Sequence, residues 1–433
     1  MNATDLWYLD PEERAKLYVE EQGKRLLRAG GLSPINLSTA ENVLLFDQLK
    51  KLFEQPLDFT EADAGYVSKT RRDKLHELIA NFLSDSYGLS GGNRLVRDNV
   101  VGLSGVSAAL ESLAFSLCSP GDTVLTPAPC WQGFDWCFRY RPKVKFVKFP
   151  SRSDRPFELT PEAVIDAYNK ESAKPKVLLL TNPDNPLGVN HKKETLERIY
   201  EWVMRETEMH IISDEIYFNS QVAQPRVKFT SAFELDAYRG SEDRIHVVWG
   251  FSKDFGLSGF RAGFVITRAD NVIKSLMERR MYFFSPFTSL TNMMLIDKLL
   301  EHDQGRYIRR LIAEYKSALT RQFSVTRGEL ERRKIKFYDR SEAAQFLWLD
   351  LSEYLDSAPD CPDPVMYSEI TDERERKLDC YIRKEAGVLL LPGQVLSSPL
   401  PGWFRLCLTC KKLDVITEAV NRIADALGKL PTK

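Results

Sequence analysis

Short apolar runs that do not alternate with polar residues recur through the middle of the chain: Val177-Leu178-Leu179-Leu180-Thr181, His210-Ile211-Ile212-Ser213 and Ile245-His246-Val247-Val248-Trp249. Runs of this length, rich in Val, Ile and Leu, predict strands buried on both faces of a parallel sheet. Helix-length segments separate them, as βαβ units require, so the pattern predicts an α/β core over residues 75–300. From His302 the chain begins with a long charged helix and passes the strand-like Ala344-Gln345-Phe346-Leu347-Trp348-Leu349. It then crosses a proline-rich loop at 359–364 and returns through Gly387-Val388-Leu389-Leu390-Leu391-Pro392 to a strand carrying Arg405. This predicts a smaller α+β domain over 301–433. Residues Asp10 to Arg28 read as a charged amphipathic helix that stops at Gly30-Gly31.

Each apolar run ends in polar residues. The first is followed by Asn182-Pro183-Asp184-Asn185-Pro186-Leu187-Gly188, the second by Asp214-Glu215-Ile216-Tyr217, and the third leads into Ser252-Lys253-Asp254-Phe255-Gly256-Leu257-Ser258-Gly259-Phe260-Arg261. Ligands of open α/β sheets sit beyond the carboxyl ends of the strands, so Asn185, Asp214, Tyr217 and Lys253 can converge on one site. A lysine just past a buried strand, with an arginine further on, is what an enzyme needs to attach pyridoxal phosphate covalently and neutralise its phosphate. A carboxylate such as Asp214 favours the protonated pyridine nitrogen that makes the cofactor an electron sink. Tyr217 and Asn185 suit hydrogen bonds to the ring's phenolic oxygen. Taken alone, Lys253 reads as a solvated lysine, and the rest of the chain overturns that; a surface or capping acid is the plain reading of Asp214, but an Asp straight after an apolar strand, followed by Glu, Ile and Tyr, suits it poorly. Ser104-Gly105-Val106-Ser107 supplies a small-residue turn into a helix, whose first N–H groups form an anion site, although a serine there also serves as an ordinary N-cap.

Composition narrows the classes. The 433 residues carry 60 Lys+Arg against 61 Asp+Glu, a net charge of −1, which gives no electrostatic case for nucleic acid or an anionic membrane surface. No stretch reaches the roughly 18 apolar residues of a membrane helix, and the acidic start with Asp5, Asp10, Glu12 and Glu13 does not read as a signal peptide. A cytoplasmic location is expected. Seven scattered cysteines fit a reducing compartment better than a disulfide framework. Cys407-Leu408-Thr409-Cys410 has metal-like spacing, but without a second pair it reads as two core cysteines.

The Asn-Pro-Leu-Gly, Asp-Glu-Ile-Tyr, Ser-Lys and Gly-Phe-Arg blocks stand in the order found in class I/II aminotransferases, the fold type I pyridoxal-phosphate enzymes. Within that superfamily the chain most resembles 1-aminocyclopropane-1-carboxylate synthases. The likeness is carried by Thr39-Ala40-Glu41-Asn42, Ala80-Asn81-Phe82, Pro120-Gly121-Asp122, Thr181 to Gly188, Lys253 to Arg261 and Pro401-Gly402-Trp403-Phe404-Arg405. The resemblance implies a large cofactor-binding domain, a small domain with which residues 1–74 pack, and a homodimer with shared active sites. It implies that Lys253 attaches the cofactor and moves the substrate α proton, Asp214 pairs with the pyridine nitrogen, and Tyr217 and Asn185 bind the phenolic oxygen. Arg261 and the N–H groups of Val106 and Ser107 would hold the phosphate end, Ser252 would contact the cofactor, Trp131 would stack on the ring, and Arg405 would bind the substrate α-carboxylate with its guanidinium fork. Glu41 would lie near the substrate's cationic part.

Three departures bear on the reaction. The synthases carry an interface tyrosine before Gly-Leu-Pro; aligning on Ile79-Ala80-Asn81-Phe82 puts Lys69 there, with Tyr66 three residues away as the substitute if the loop shifts. A phosphate-binding serine is replaced by Gly250, and Trp131 stands where the synthases have tyrosine. The leading expectation is cleavage of S-adenosylmethionine with cyclisation and release of methylthioadenosine. Aminotransfer and Cγ substitution on S-adenosylmethionine are the alternatives. A cofactor-sensing regulator would need a basic DNA-binding segment, which the acidic start does not supply.

Overall fold

The computed structural model describes residues 33–431 apart from 152–155, 283–287, 362–366 and 368; the helix expected over Asp10–Arg28 lies outside the described residues. Its strands are β1 (Ile35–Asn36), β2 (Val100–Ser104), β3 (Thr123–Ala128), β4 (Lys145–Pro150), β5 (Val177–Thr181), β6 (His210–Asp214), β7 (Ile245–Gly250), β8 (Ala262–Ile266), β9 (Lys336–Phe337), β10 (Phe346–Asp350), β11 (Val388–Leu389), β12 (Leu391–Pro392) and β13 (Trp403–Cys407).

Strands β2 to β8 form one sheet in the order β2-β8-β7-β6-β5-β3-β4. Only β8 runs antiparallel to its neighbours. Every residue of β5, β7 and β8 is buried, which is why these runs carry no polar alternation. The flanking helices pay for that burial in kind. Helix Lys193–Glu206 buries Leu196, Ile199, Tyr200 and Val203, one stripe at helical spacing, each side chain worth roughly 1.5–3 kcal/mol of transfer from water.

A second sheet, antiparallel in the order β12-β13-β10-β9, packs against the 27-residue helix Arg306–Arg332, which in turn packs against the helix Leu413–Leu427. The run Gly387–Pro392 holds two short strands: β11 pairs in parallel with β1, while β12 joins β13. The segment that follows β1 is thereby fixed beside β11. Cys361 and Cys380 are joined by a disulfide, Cα–Cα 6.2 Å, where free thiols were expected; helix Glu373–Glu385 brings Cys380 against the loop that carries Cys361, a juxtaposition with no local signal. Cys407 and Cys410 are both buried. No helix among the described residues is long and apolar enough to cross a membrane.

The two sheets meet at Gly188. Its carbonyl accepts from Glu342 and Ala343 N–H, both at 2.8 Å, and Ser341 Oγ donates to Leu187 O at 2.6 Å. Gly188 has φ +67°, and a Cβ there would stand 2.6 Å from Phe346 O. Gly188→Ala is expected to cost about 1–3 kcal/mol through forced overpacking, in addition to backbone strain. Urea denaturation of the purified variant measures it, and an unchanged midpoint would mean that the seam can yield.

Candidate active site

The single antiparallel strand assembles one end of the site. Register pairs Ser104 with Ala262, so the first residue before β8, Arg261, stands beside the turn that leaves β2. There Gly105 has φ +88°, and a Cβ on it would lie 2.4 Å from Arg261 Nη2. Arg261 itself is left-handed, φ 51°, and its Nη1 donates to Ser258 O at 2.9 Å. Helix Val106–Leu117 begins at Gly105 with no side chain capping it, which leaves first-turn N–H groups, with the helix dipole behind them, for an anion. Guanidinium and helix start together make a phosphate cradle that only a glycine leaves open. Gly250 belongs to the same corner: a Cβ there would stand 2.6 Å from Ala262 O, so this packing has no room for the serine expected from the resemblance.

Asp214 ends β6 and accepts from Ile216 N–H at 3.3 Å. Burial pushes its carboxyl up to about 7, against the pull of that N–H and of Lys253. A buried carboxyl in that condition calls for a cationic N–H partner, which a protonated pyridine nitrogen provides. Tyr217, three residues on, is buried edge-on against Phe346 at 5.4 Å, and burial holds its hydroxyl protonated.

Lys253 follows β7 and is partly buried; its Nζ donates to Ala40 O at 2.7 Å. Desolvation lowers its pKa, opposed by Glu41 and Cys407 and reinforced by Arg405 and Arg261. Arg405, in the middle of the second sheet, is buried with Nη1 donating to Asn185 Oδ1 at 2.8 Å and Nη2 to Ser38 O at 2.6 Å. Its guanidinium lies 4.3 Å over the Phe346 ring, and its Nε has no partner among the described residues. Glu41 Oε2 accepts from Ser258 Oγ at 2.8 Å, and the Ser252 carbonyl faces the same hydroxyl at 3.1 Å.

Lys253, Asp214, Tyr217, Asn185, Arg405, Arg261 and Glu41 are thus brought together, with Val106 and Ser107 at the helix start beside Arg261 and Ser252 beside Ser258. Trp131 follows β3 and lies across Gly133, where a Cβ would stand 2.2 Å from its ring; it meets Phe134 and Trp136 edge-on at 5.3 and 6.2 Å. Two expected substrate residues stand apart within one chain: Tyr66 is fully exposed, and exposed Lys69 pairs with Asp73 four residues along the same helix. A separate cavity of about 180 Å³ on the seam between the sheets, lined by Phe157, His191, Arg226 and Tyr338 among others, contains none of the expected residues. Sequence reasoning gave no role to Asn42, whose Nδ2 donates to both Lys253 O at 2.9 Å and Asp254 O at 3.1 Å. Its place beside Glu41 in the Thr-Ala-Glu-Asn block was the available signal.

The family model for aminotransferase class I and II matches residues 34–423. The chain belongs to that family. This family uses pyridoxal phosphate, and the cradle, the buried acid and the desolvated lysine fit that cofactor. The protein is therefore a pyridoxal-phosphate-dependent enzyme of the lyase or aminotransferase type acting on amino acids. Among relatives, this family member is 29% identical to 1-aminocyclopropane-1-carboxylate synthase 7 of Arabidopsis thaliana over 91% of this chain and 87% of the relative. It is 33% identical to the 1-aminocyclopropane-1-carboxylate synthase of Vigna radiata var. radiata over 73% and 83%. In fold it is similar to an aspartate aminotransferase double mutant of Thermus thermophilus, with 21% identity, TM-score 0.72 and 98% and 99% of the two chains covered. The aromatic aminotransferase of Pyrococcus horikoshii OT3 is comparable, at 20% identity, TM-score 0.72 and coverage of 94% and 98%.

Two outcomes are expected from this geometry. Gly105→Ala displaces the Arg261 guanidinium, and equilibrium dialysis should find pyridoxal phosphate bound at least about tenfold more weakly, 1.4 kcal/mol or more. In the cofactor-free protein Asp214 keeps a proton up to about pH 7 that the unfolded chain releases near its ordinary carboxylate value. The native state then binds more protons than the unfolded one between those limits, so this residue's contribution is present at low pH and lost as pH rises, by about 1.4 kcal/mol per unit. Asp214→Asn should gain stability over wild type on going from pH 5 to 8 in urea unfolding without cofactor, and lose that advantage when pyridoxal phosphate is present. A pH-independent difference would place the acid outside the buried site.

Proposed function

We propose that this enzyme cleaves S-adenosylmethionine, forming 1-aminocyclopropane-1-carboxylate and methylthioadenosine, as a homodimer whose active sites are shared. One observation carries the reading. The segment Ser38–Asn42 offers the Ser38 carbonyl to Arg405 and the Ala40 carbonyl to Lys253, and its Glu41 carboxylate acts on Lys253 while accepting from Ser258 Oγ. A substrate with an α-carboxylate at Arg405 and a cationic group a few bonds beyond its Cα meets a negative wall at the right place, and a methionine sulfonium has that shape. The relatives' names point the same way.

In this reading Arg405 clamps the α-carboxylate and, with Asn185, sets the substrate's orientation. Asp214 and Tyr217 would hold the cofactor ring by its nitrogen and phenolic oxygen with Trp131 against it, Arg261 and the Val106 and Ser107 N–H groups would hold the phosphate, and Ser252 would contact the cofactor. Pyridoxal phosphate, when bound, supplies the electron sink that makes the Cα proton removable. Lys253 Nζ takes that proton; burial favours its neutral form, the form a base requires. The Cα–Cγ bond forms as the Cγ–S bond breaks, and methylthioadenosine departs with the bonding pair. The exposed surface at Tyr66 and Lys69 would meet the partner subunit near its site.

One feature favours a second outcome. The position aligned with the synthases' interface tyrosine is Lys69, engaged with Asp73, so Cγ can instead be delivered to another nucleophile in a substitution. Mass spectrometry of products from S-adenosylmethionine separates the cases. Methylthioadenosine with the cyclopropane acid is expected. Methylthioadenosine with another product selects substitution, and unconsumed S-adenosylmethionine selects aminotransfer. Lys253→Ala should abolish turnover, and a variant that retains it would remove Lys253 from the mechanism. Glu41→Gln should raise KM for S-adenosylmethionine about tenfold, the loss of a charge-assisted contact of 1–2 kcal/mol, with little effect on an uncharged amino acid. Equal effects on both substrates would take Glu41 away from the sulfonium.

A further inference from the structure

Hydrogen bonds close into a ring on the main chain of Lys253. Gln345 Nε2 donates to Lys253 O at 2.8 Å and to Tyr315 OH at 2.9 Å. The Tyr315 and Ser220 hydroxyls are 2.8 Å apart, and Ser220 Oγ donates at 2.7 Å to Oδ1 of Asp254, the residue after Lys253. The proton directions are consistent around the ring: the amide donates to Tyr315, Tyr315 to Ser220, and Ser220 to the carboxylate. Asp254 Oδ2 takes two further donors, Asn219 N at 3.2 Å and Trp249 Nε1 at 3.3 Å. Tyr315, Gln345, Ser220 and Asp254 are all buried.

The members come from distant parts of the chain: Tyr315 from the helix Arg306–Arg332, Gln345 from the residue before β10, and Ser220 from the loop after β6. A buried polar cluster can exist merely because its groups satisfy one another. Here both ends of the cluster terminate on two consecutive residues, 253 and 254, and three separate elements converge there in a low-dielectric setting where each bond counts for more. Gln345 and Tyr315 touch neither the amine nor Arg405.

We propose that Tyr315 and Gln345 are positioning residues, which fix the main chain of Lys253 and thereby the placement of its amine over the substrate Cα. The inference rests on Lys253 being the reacting amine, and is independent of which amino acid is consumed.

The test uses Tyr315→Phe, Gln345→Leu and the double variant, with Tyr381→Phe as a control that removes a hydroxyl bonded to Ala426 O on the outer helices. In cofactor-free protein the acylation of Lys253 by acetic anhydride is followed against pH by peptide mass spectrometry. The charged groups facing the amine, Glu41, Cys407, Arg405, Arg261 and Asp214, are unchanged in every variant, so a shift reports position. The acylation midpoint is expected to rise toward that of an ordinary lysine in both single variants as the released amine reaches water. In the loaded enzyme kcat should fall about tenfold with KM held within about twofold, and the double variant should be no worse than either single, as members of one ring. The control should move neither quantity. Acylation curves and kcat coinciding with wild type, with only a lower melting temperature, would reduce the ring to a structural cluster and overturn the proposal. Should Tyr315→Phe fail to fold, the Gln345→Leu curve decides. Acylation of Lys253 that pyridoxal phosphate does not suppress in wild type would overturn the assignment of Lys253 and the proposal with it, a result distinct from any failure to consume S-adenosylmethionine.

Discussion

Where β2, β7 and β8 end, there is no room for a side chain between them. A Cβ on Gly263 would fall 2.3 Å from the Gly105 carbonyl carbon, and one on Gly250 would fall 2.6 Å from Ala262 O. This close approach of three backbones lets Arg261 settle over the start of the helix Val106–Leu117, and it fixes the point from which the chain leaves β7 toward Lys253. The anion cradle and Lys253 are therefore set by one packing constraint. Asp214, one strand further along, inherits its distance from both through the parallel register of β6 with β7.

The electrostatics follow from that assembly. Five carboxyls, Asp184, Asp214, Glu215, Asp254 and Glu375, are lifted to about 7 by burial. Four of them are held by several donors or serve main-chain contacts. Glu375 receives Gln394 and Gly402 N–H at 2.9 and 2.7 Å, steadying the approach to β13 and Arg405. Asp214, like Asp184, takes a single main-chain N–H; what sets it apart is the pull of the neighbouring Lys253.

Much of this was legible before the fold was known, for a physical reason. Strands buried on both faces must be written as unbroken apolar runs, so β5, β6 and β7 declared themselves, and residues placed at their ends had to share an edge. β8 was harder, because its antiparallel course has no sequence mark, and that course is what delivers Arg261. The division of Gly387–Pro392 into β11 and β12 depends on partners far away in the chain. Gln345 and Tyr315 sit inside ordinary apolar patterns, a strand entry and a helix stripe, and their role exists only where the two elements meet. Lys69 and Tyr66 were chosen by alignment across a gap, and nothing in the folding of one chain draws them toward Lys253.

The pairing of β1 with β11 joins Ile35 to Val388 and Asn36 to Leu389. The Ser38–Asn42 segment that meets Arg405 and Lys253 follows β1, so its seat does not exist until the chain has been made through Leu389. During synthesis the seven-stranded sheet can be complete while this segment still has no strand to lie against, since a contact so distant along the chain forms late. The edge that carries Lys253 and Asp214 can thus form before its neighbouring wall does. The Ser38 and Ala40 carbonyls reach Arg405 and Lys253 only once β11 and β13 are in place.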